Sequence, residues 1–447
     1  MLSIGRNGKV RLLALGMAAL IAALIALTTF TAPARAALTP AEDPFYRYEG
    51  GTSLASIAPG TVLKTRTLSY HVAGVPLPVR AVQLLYRSTG SVGQPTVNVT
   101  SVLLPPLGLS PPTGPTVVSY QSFYDSLTNE DEPSYAISGG VSLNGPIPDA
   151  ESAIIAPALL TGDTVVVPDT EGEEADFSAG PVYGMNTLDS LRAALASPAT
   201  GLAGTSKIGL IGYSGGAIAT EWAAELAASY APALDSKIVG VAFGGTLVDP
   251  AHNLRYVEGS TIWAGVIPMG LIGIGRAYDI DLTPYLSEYG LQLYDKLQHA
   301  SITEVLGQYP GLTWSQLAKP QYPTPEAIPA YVQVANKLIM GTGGTPSAPL
   351  FIGQGAGGEL EGTPGETPGI GPGDGVMIAG DVRTLAREYC SRGVPVQYEQ
   401  YEHLSHIPSA IQWLPEAYSW LDARFLGLPA PQDCAQIAPG NSLEPIP

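Results

Sequence analysis

The chain has 447 residues, enough for one large domain or two ordinary ones, and a formal net charge of −18. Its first 36 residues hold four cations (Arg6, Lys9, Arg11 and Arg35) and no acid, so the remainder carries −22 (−18 − 4). A body this acidic disfavours nucleic acid and anionic membrane as partners and leaves neutral lipid open.

The N-terminus reads as an export signal. Arg6, Lys9 and Arg11 form a positive region, Leu12 to Thr31 is uncharged and mostly apolar, and Ala34-Arg35-Ala36 is a small-residue cleavage site. Residues 1–36 are therefore expected to be a signal peptide on a secreted protein. A retained anchor is the alternative, because the apolar stretch is long enough to span a bilayer. Ile262 to Ile274 is also apolar but short, and broken by Gly265, Pro268, Gly270 and Gly273.

Ala81 to Tyr86 and Val97 to Leu104 read as strands with a Gly/Ser turn between them, and Asn98-Val99-Thr100 is a glycosylation sequon. Thr116 to Gln121 is a third strand, and "TVVVPD" (Thr164 to Asp169) is a β-branched run of the kind buried in parallel sheets. Leu188, Leu191 and Leu195 mark one face of a helix that Pro198 ends. Ile208 to Gly212 is the next strand, Ala217 to Tyr230 a helix, and Ile238 to Gly245 another strand. Strands alternating with helices predict an α/β sheet with crossover helices.

The rhythm breaks from Asp249 to about Pro349, where aromatic, Pro-punctuated, helix-prone pieces form an insertion. It returns with the strand "PLFIGQ" (Pro349 to Gln354), the helix "DVRTLAREYCSRG", the strand "VPVQYEQY" and a last helix from about Ser409 to Phe425. Gly355 to Gly373 holds eight Gly and three Pro in nineteen residues and predicts a flexible loop. Cys390 and Cys434 are the two cysteines; an even count in an exported chain suggests one disulfide, with two free thiols the alternative. No His/Cys cluster has zinc spacing, so neither metal nor cofactor is expected.

Gly212-Tyr213-Ser214-Gly215-Gly216 contains G-x-S-x-G. In a chain with 52 glycines the bare motif is weak, but this copy joins a buried-type strand to a helix, where a nucleophile elbow belongs. The competing reading is a Gly-rich turn with Ser214 as a helix N-cap. In an elbow, Gly215 adds a backbone N–H beside the helix start, where a developing anion is favoured. The base should follow the last strand, which selects His403 and His406 from the five histidines. The acid should follow "PLFIGQ", so candidates run from Glu359 to Asp381; Asp374 stands just ahead of a helix and doubles as a possible helix-entry cap.

Four stretches resemble the secretory lipase family, the lipase A-type α/β-hydrolases. They are "VVSYQSFYDSLTNEDEPSY", "GYSGGAIATEWAAELAASYAPAL", "DGVMIAGDVRTLAREYCSRG" and "YEHLSHIPSA". The resemblance covers about residues 40 to 430 and implies an α/β-hydrolase fold with a central, mostly parallel sheet and a largely helical cap. It implies Asp125 at the oxyanion position, Asp374 as the acid, His406 rather than His403 as the base, and pairing of Cys390 with Cys434. The organisation that follows is signal peptide 1–36, core 37–248, cap or lid 249–349 bordering the acyl site, core 350–430 and tail 431–447. Two departures stand out: the Gly/Pro-rich loop intervenes before Asp374, leaving Glu359, Glu361 or Glu366 as substitutes, and Ser405 stands where an acidic residue is expected.

The resulting expectation is a secreted, monomeric serine hydrolase of lipid esters, in transient contact with a lipid interface, acting through Ser214, His406 and Asp374. The N–H groups of Asp125 and Gly215 would form the oxyanion hole. The alternatives are a small-substrate esterase, an acyltransferase or a peptidase with the same triad, and a non-catalytic lipid-binding surface protein.

Overall fold

The structure, a computed structural model, describes residues 37–447 apart from 112, 113, 203, 205, 366 and 368. The expected signal peptide and the candidate Glu366 lie outside the described residues. Nine strands form: β1 (Val62–Val72), β2 (Val75–Thr89), β3 (Pro95–Leu103), β4 (Thr116–Gln121), β5 (Thr164–Pro168), β6 (Lys207–Tyr213), β7 (Ile238–Gly244), β8 (Leu350–Gly355) and β9 (Val396–Tyr401). They make one sheet in the order β1-β2-β3-β5-β4-β6-β7-β8-β9. The pairs from β1 to β5 are antiparallel, and those from β5 through β4 to β9 are parallel. Parallel neighbours need crossovers, and the helices supply them.

The helices used below are α1 (Ser152–Thr161), α2 (Gly180–Ala196), α3 (Gly215–Tyr230), α4 (Pro250–Val257), α5 (Val266–Ala277), α6 (Glu288–Leu297), α7 (Pro329–Ala335), α8 (Ala379–Ser391) and α9 (His406–Phe425). Along each central strand the side chains alternate between two buried faces. Val117, Leu210, Val241, Phe243 and Ile352 pack with residues of α2, α3 and α8. Val118, Ile211, Ala242 and Phe351 pack with α1 and with Trp413 and Trp420 of α9. Burial on both faces is why these strands read as continuous apolar runs.

β1 has no counterpart among the expected strands, because Lys64, Arg66 and a half-exposed pattern hide it; its pairing with β2 through the left-handed turn residues Ala73 and Gly74 makes it a strand. α1 is likewise not among the expected helices, because Pro157 interrupts its helical pattern. The last helix begins at His406, earlier than expected. The sequon asparagine is buried in β3, its amide donating to Tyr86 Oη and the Asp169 carbonyl. The expected flexible loop holds described pieces that are tied down: Gly358 N donates to Gly373 O at 2.8 Å, and Glu361 is buried in a 3₁₀ turn.

Between β7 and β8 lie α4 to α7 and several single turns, packed around Trp263, Ile267, Leu271, Trp314 and Tyr331. The same cluster takes in Val376, Met377 and Ile378 from the segment after β8. Side chains start these short helices: Asp249 caps α4, Ser287 caps α6, and capping boxes begin at Ser301 and Thr313. Cys390 at the end of α8 is bonded to Cys434 in the tail. Further along, Ile446 exchanges hydrogen bonds with the Asn336 side chain.

Candidate active site

Ser214 stands between β6 and α3 at φ 55° and ψ −124°, a backbone state that costs energy for any residue with a Cβ. The turn is tight enough to demand its flanking glycines. A Cβ on Gly212 would lie 2.2 Å from Gly216 O, and one on Gly216 would lie 2.1 Å from Gln121 O. The glycine at 215 has another cause: a Cβ there would fall 1.7 Å from Asp125 Oδ1. The elbow geometry, not the capped turn, is what forms; Ser214 makes no side-chain cap bond to α3.

His406 is the first residue of α9, a short turn after β9 ends at Tyr401. Its Nε2 lies 2.8 Å from Ser214 Oγ and its Nδ1 lies 2.8 Å from Asp374 Oδ2. Asp374 is fully buried and amply solvated by protein. Oδ1 accepts from Val376 N at 3.1 Å and Met377 N at 2.8 Å, and Oδ2 also accepts from Gln354 Nε2 at 3.0 Å. The backbone closes the same joint, with His406 N donating to Asp374 O at 2.7 Å. Burial of the imidazole opposes its charged form, but the charge and hydrogen bond of Asp374 outweigh it and hold the pKa above its ordinary value, with Glu361 and Asp125 adding.

Glu361, one of the substitute acids, is elsewhere. Its carboxylate accepts from Trp263 Nε1 at 2.8 Å and from Ile407 N at 3.1 Å. It therefore braces the residue after His406 and the indole that meets the imidazole edge-on, with ring centroids 5.2 Å apart. On the other side Tyr213 packs against the imidazole and donates to His406 O at 2.8 Å. Sequence reasoning missed Trp263 and Tyr213 as histidine neighbours; only the position of Tyr213 inside the elbow hinted at one of them.

Asp125 follows β4 and has φ 39°, in the left-handed region. Its turn is held by Ser126 N donating to Glu171, and by the insertion between β7 and β8, where Ile302 N donates to Asp125 O at 2.8 Å. The backbone N–H groups of Asp125 and Gly215 make no hydrogen bond among the described residues. Burial pushes the Asp125 carboxyl up to about 8, against the lowering field of His406. Asp125, Ser214 and Gly215 line a cavity of about 110 Å³ whose walls also include Ile218, Ile267, Leu271, Ile274 and Met377. His403 is exposed, and His71, His252 and His299 form no hydrogen bond with Ser214.

The sheet order, the strained serine elbow and the His–Asp line behind it define an α/β-hydrolase. A model of the secretory lipase family matches residues 140–360, and Lipase 10 of Candida albicans is 30% identical over 421 residues, 91% of this chain and 86% of that protein. The chain belongs to the secretory lipase family and is a carboxylic ester hydrolase. A Mycobacterium tuberculosis protein named as a probable inactive lipase is 31% identical over 397 residues, 88% of this chain and 84% of that one. The X-ray structure of Candida antarctica lipase A in its closed state matches with a TM-score of 0.77 and 26% identity, over 92% of each chain.

Proposed function

We propose that this is a secreted lipase that cleaves carboxylic esters of lipids through an acyl-enzyme on Ser214. The carrying observation is the unbroken line Ser214–His406–Asp374 opening on an apolar cavity. Ser214 Oγ attacks the ester carbonyl carbon, and its proton passes to His406 Nε2. The N–H groups of Asp125 and Gly215 receive the negative oxygen of the tetrahedral intermediate. His406 gives the proton to the leaving alkoxide, which departs as the alcohol. Water then attacks the acyl carbon, its proton goes by way of His406 back to Ser214 Oγ, and the carboxylic acid leaves. Asp374 holds the Nδ1–H tautomer and stabilises the imidazolium.

A carboxylate beside an oxyanion hole would repel the anion, by about 4 kcal/mol at 4 Å and an effective dielectric of 20. A protonated Asp125 removes that conflict and offers a further donor. The apolar walls from segment 249–349, read as a cap, favour an acyl chain over a peptide. Export is supported by the N-terminal pattern and by the family, and the chain is taken as a monomer. The test is fluorophosphonate labelling of Ser214 together with a panel of p-nitrophenyl esters from acetate to palmitate. Labelling at Ser214 and turnover of medium or long esters are expected; an unlabelled Ser214 with no turnover would sink the reading in favour of a lipid-binding protein.

A further inference from the structure

Asp374 sits in a short loop whose ends, Gly373 and Ile378, pair across it. Its carboxylate is aimed by the N–H groups of Val376 and Met377, so any shift of residues 375–377 moves the donors that hold it. Core groups grip this loop from one side: Gly358 N donates to Gly373 O, and Thr363 Oγ1 donates to Gly375 O. The loop is gripped as well by α4, the first helix after β7.

Three residues of α4 make that grip. Tyr256 is fully buried, and its Oη accepts from Gly375 N at 3.3 Å. The ring end is pressed so close that a Cβ on Gly373 or Gly358 would lie 2.7 or 2.5 Å from the same oxygen. Asn253 Nδ2 donates to Val376 O, leaving its buried Oδ1 without a partner among the described residues. Leaving a buried amide oxygen unpaired is costly, so packing alone does not account for an amide at this position. His252 Nδ1 lies 3.1 Å from Asp381 Oδ2 in the first turn of α8, and Asn441 of the tail donates to Asp381 Oδ1 at 2.6 Å. The charged groups that face His252 are Asp381, Asp249 and Arg255.

We propose that α4 is the buttress of the acid loop: His252, Asn253 and Tyr256 are positioning residues that hold residues 375–381 so that Asp374 meets His406. The insertion is then part of the alignment of the reacting groups as well as a wall of the cavity. It touches the other flank too, through Ile302 N to Asp125 O and Leu127 N to Ala300 O. This inference rests on the serine-hydrolase reading above.

The experiment compares Tyr256→Phe and His252→Ala with Trp314→Phe, which removes a half-buried insertion hydrogen bond to Tyr322 O in which no acid-loop residue takes part. Asn253→Ala is less diagnostic because Asn253 also lines the cavity. On p-nitrophenyl butyrate, Tyr256→Phe should lower kcat about tenfold with KM within about twofold, since small misplacements of catalytic groups are costly. Asp374, Glu361 and Asp125 are the acids facing His406, and Asp374 raises its pKa most. A loosened Asp374 therefore moves the acid limb of kcat/KM to lower pH. His252→Ala should act in the same direction and more weakly; Trp314→Phe should lower Tm alone. If Tyr256→Phe and His252→Ala lower Tm as Trp314→Phe does but leave kcat and the acid limb at wild-type values, α4 merely packs and the inference is overturned. If wild type neither turns over nor labels, the serine-hydrolase reading fails instead.

Discussion

The sheet core and the insertion between β7 and β8 are built on different principles. In the core, helices of 10 to 20 residues cover strands buried on both faces. Ser214 follows β6 at once and His406 follows β9 after a short turn, whereas Asp374 lies beyond the Gly/Pro-rich segment that follows β8. The insertion has helices of 4 to 12 residues, started by side-chain caps and prolines, around a separate apolar cluster. A sheet offers reacting atoms a frame within tenths of an ångström; a set of short helices offers a wall that can change shape with few substitutions. The contrast is between a sheet that places Ser214 and His406 and an insertion that lines the cavity and contacts the loops carrying Asp125 and Asp374.

The core half of that contrast breaks most completely at the triad. Ser214→Ala and His406→Ala should each cut kcat by about 10⁴ to 10⁶, and the double variant should be no worse than either, because the groups act as a unit. His403→Ala should be mild. Measured kcat values that fall for His403→Ala and not for His406→Ala would reverse the assignment of the base.

Next is the strap between core helix and tail. Removing the Cys390–Cys434 bond, which closes a 44-residue separation, should cost ~4 kcal/mol of unfolding free energy on the chain-entropy estimate. Because neither sulfur touches the site, kcat of the folded Cys390→Ser/Cys434→Ser enzyme should be unchanged. Denaturant titration and single-turnover kinetics on the same preparation separate the two effects.

The core also carries a set of buried acids that makes it sensitive to alkali. Burial pushes Glu151 and Asp176 up to about 7 and Asp125 up to about 8, and moves Glu171 and Glu221 in the same direction. Ordinary carboxyls titrate near 4, so across roughly pH 4 to 8 the native state binds more protons than the unfolded chain. That contribution is complete below the unfolded values and is lost as pH rises through the folded ones. Tm should therefore be higher at pH 5 than at pH 8; a Tm that climbs over this interval contradicts protonation of these buried acids in the native state.

The insertion half is tested by size. Leu271→Trp and Ile267→Trp place a bulky ring in the cavity wall and should shift preference toward shorter p-nitrophenyl esters by about tenfold, with butyrate turnover retained. An unaltered chain-length profile would put the acyl chain elsewhere. Smallest is the effect at the seam, Asp125. With its carboxyl protonated below about 8, wild type should lose rate above that pH, by a few-fold, while Asp125→Asn should not. Asp125→Leu, which keeps the N–H but has no side-chain donor, should be slower than Asp125→Asn throughout. Identical pH profiles for Asn and Leu would leave only the backbone of Asp125 in the oxyanion hole.

Much of this protein is legible in its sequence alone. "TVVVPD" and "IGLIGY" read as central strands because burial on both faces leaves no polar alternation to confuse the pattern. The elbow is readable in part because Gly212 answers to a contact inside the motif, Gly216 O, whereas Gly215 and Gly216 answer to Asp125 and Gln121, far away in the chain. His406 and Asp374 follow from resemblance rather than from local pattern. Tertiary structure decided the rest. Strand β1 exists because β2 completes its hydrogen bonds, not because its own residues are apolar. Glu361 and Asp374 share one loop region and one charge type; which carboxylate meets Nδ1 depends on how α9 and Trp263 pack, and the structure sends Glu361 to the indole. The contact of Asn253 with Val376 spans 123 residues of chain. Periodicity and propensity report local dihedrals and average burial, whereas such long-range pairs are settled only when separate elements meet.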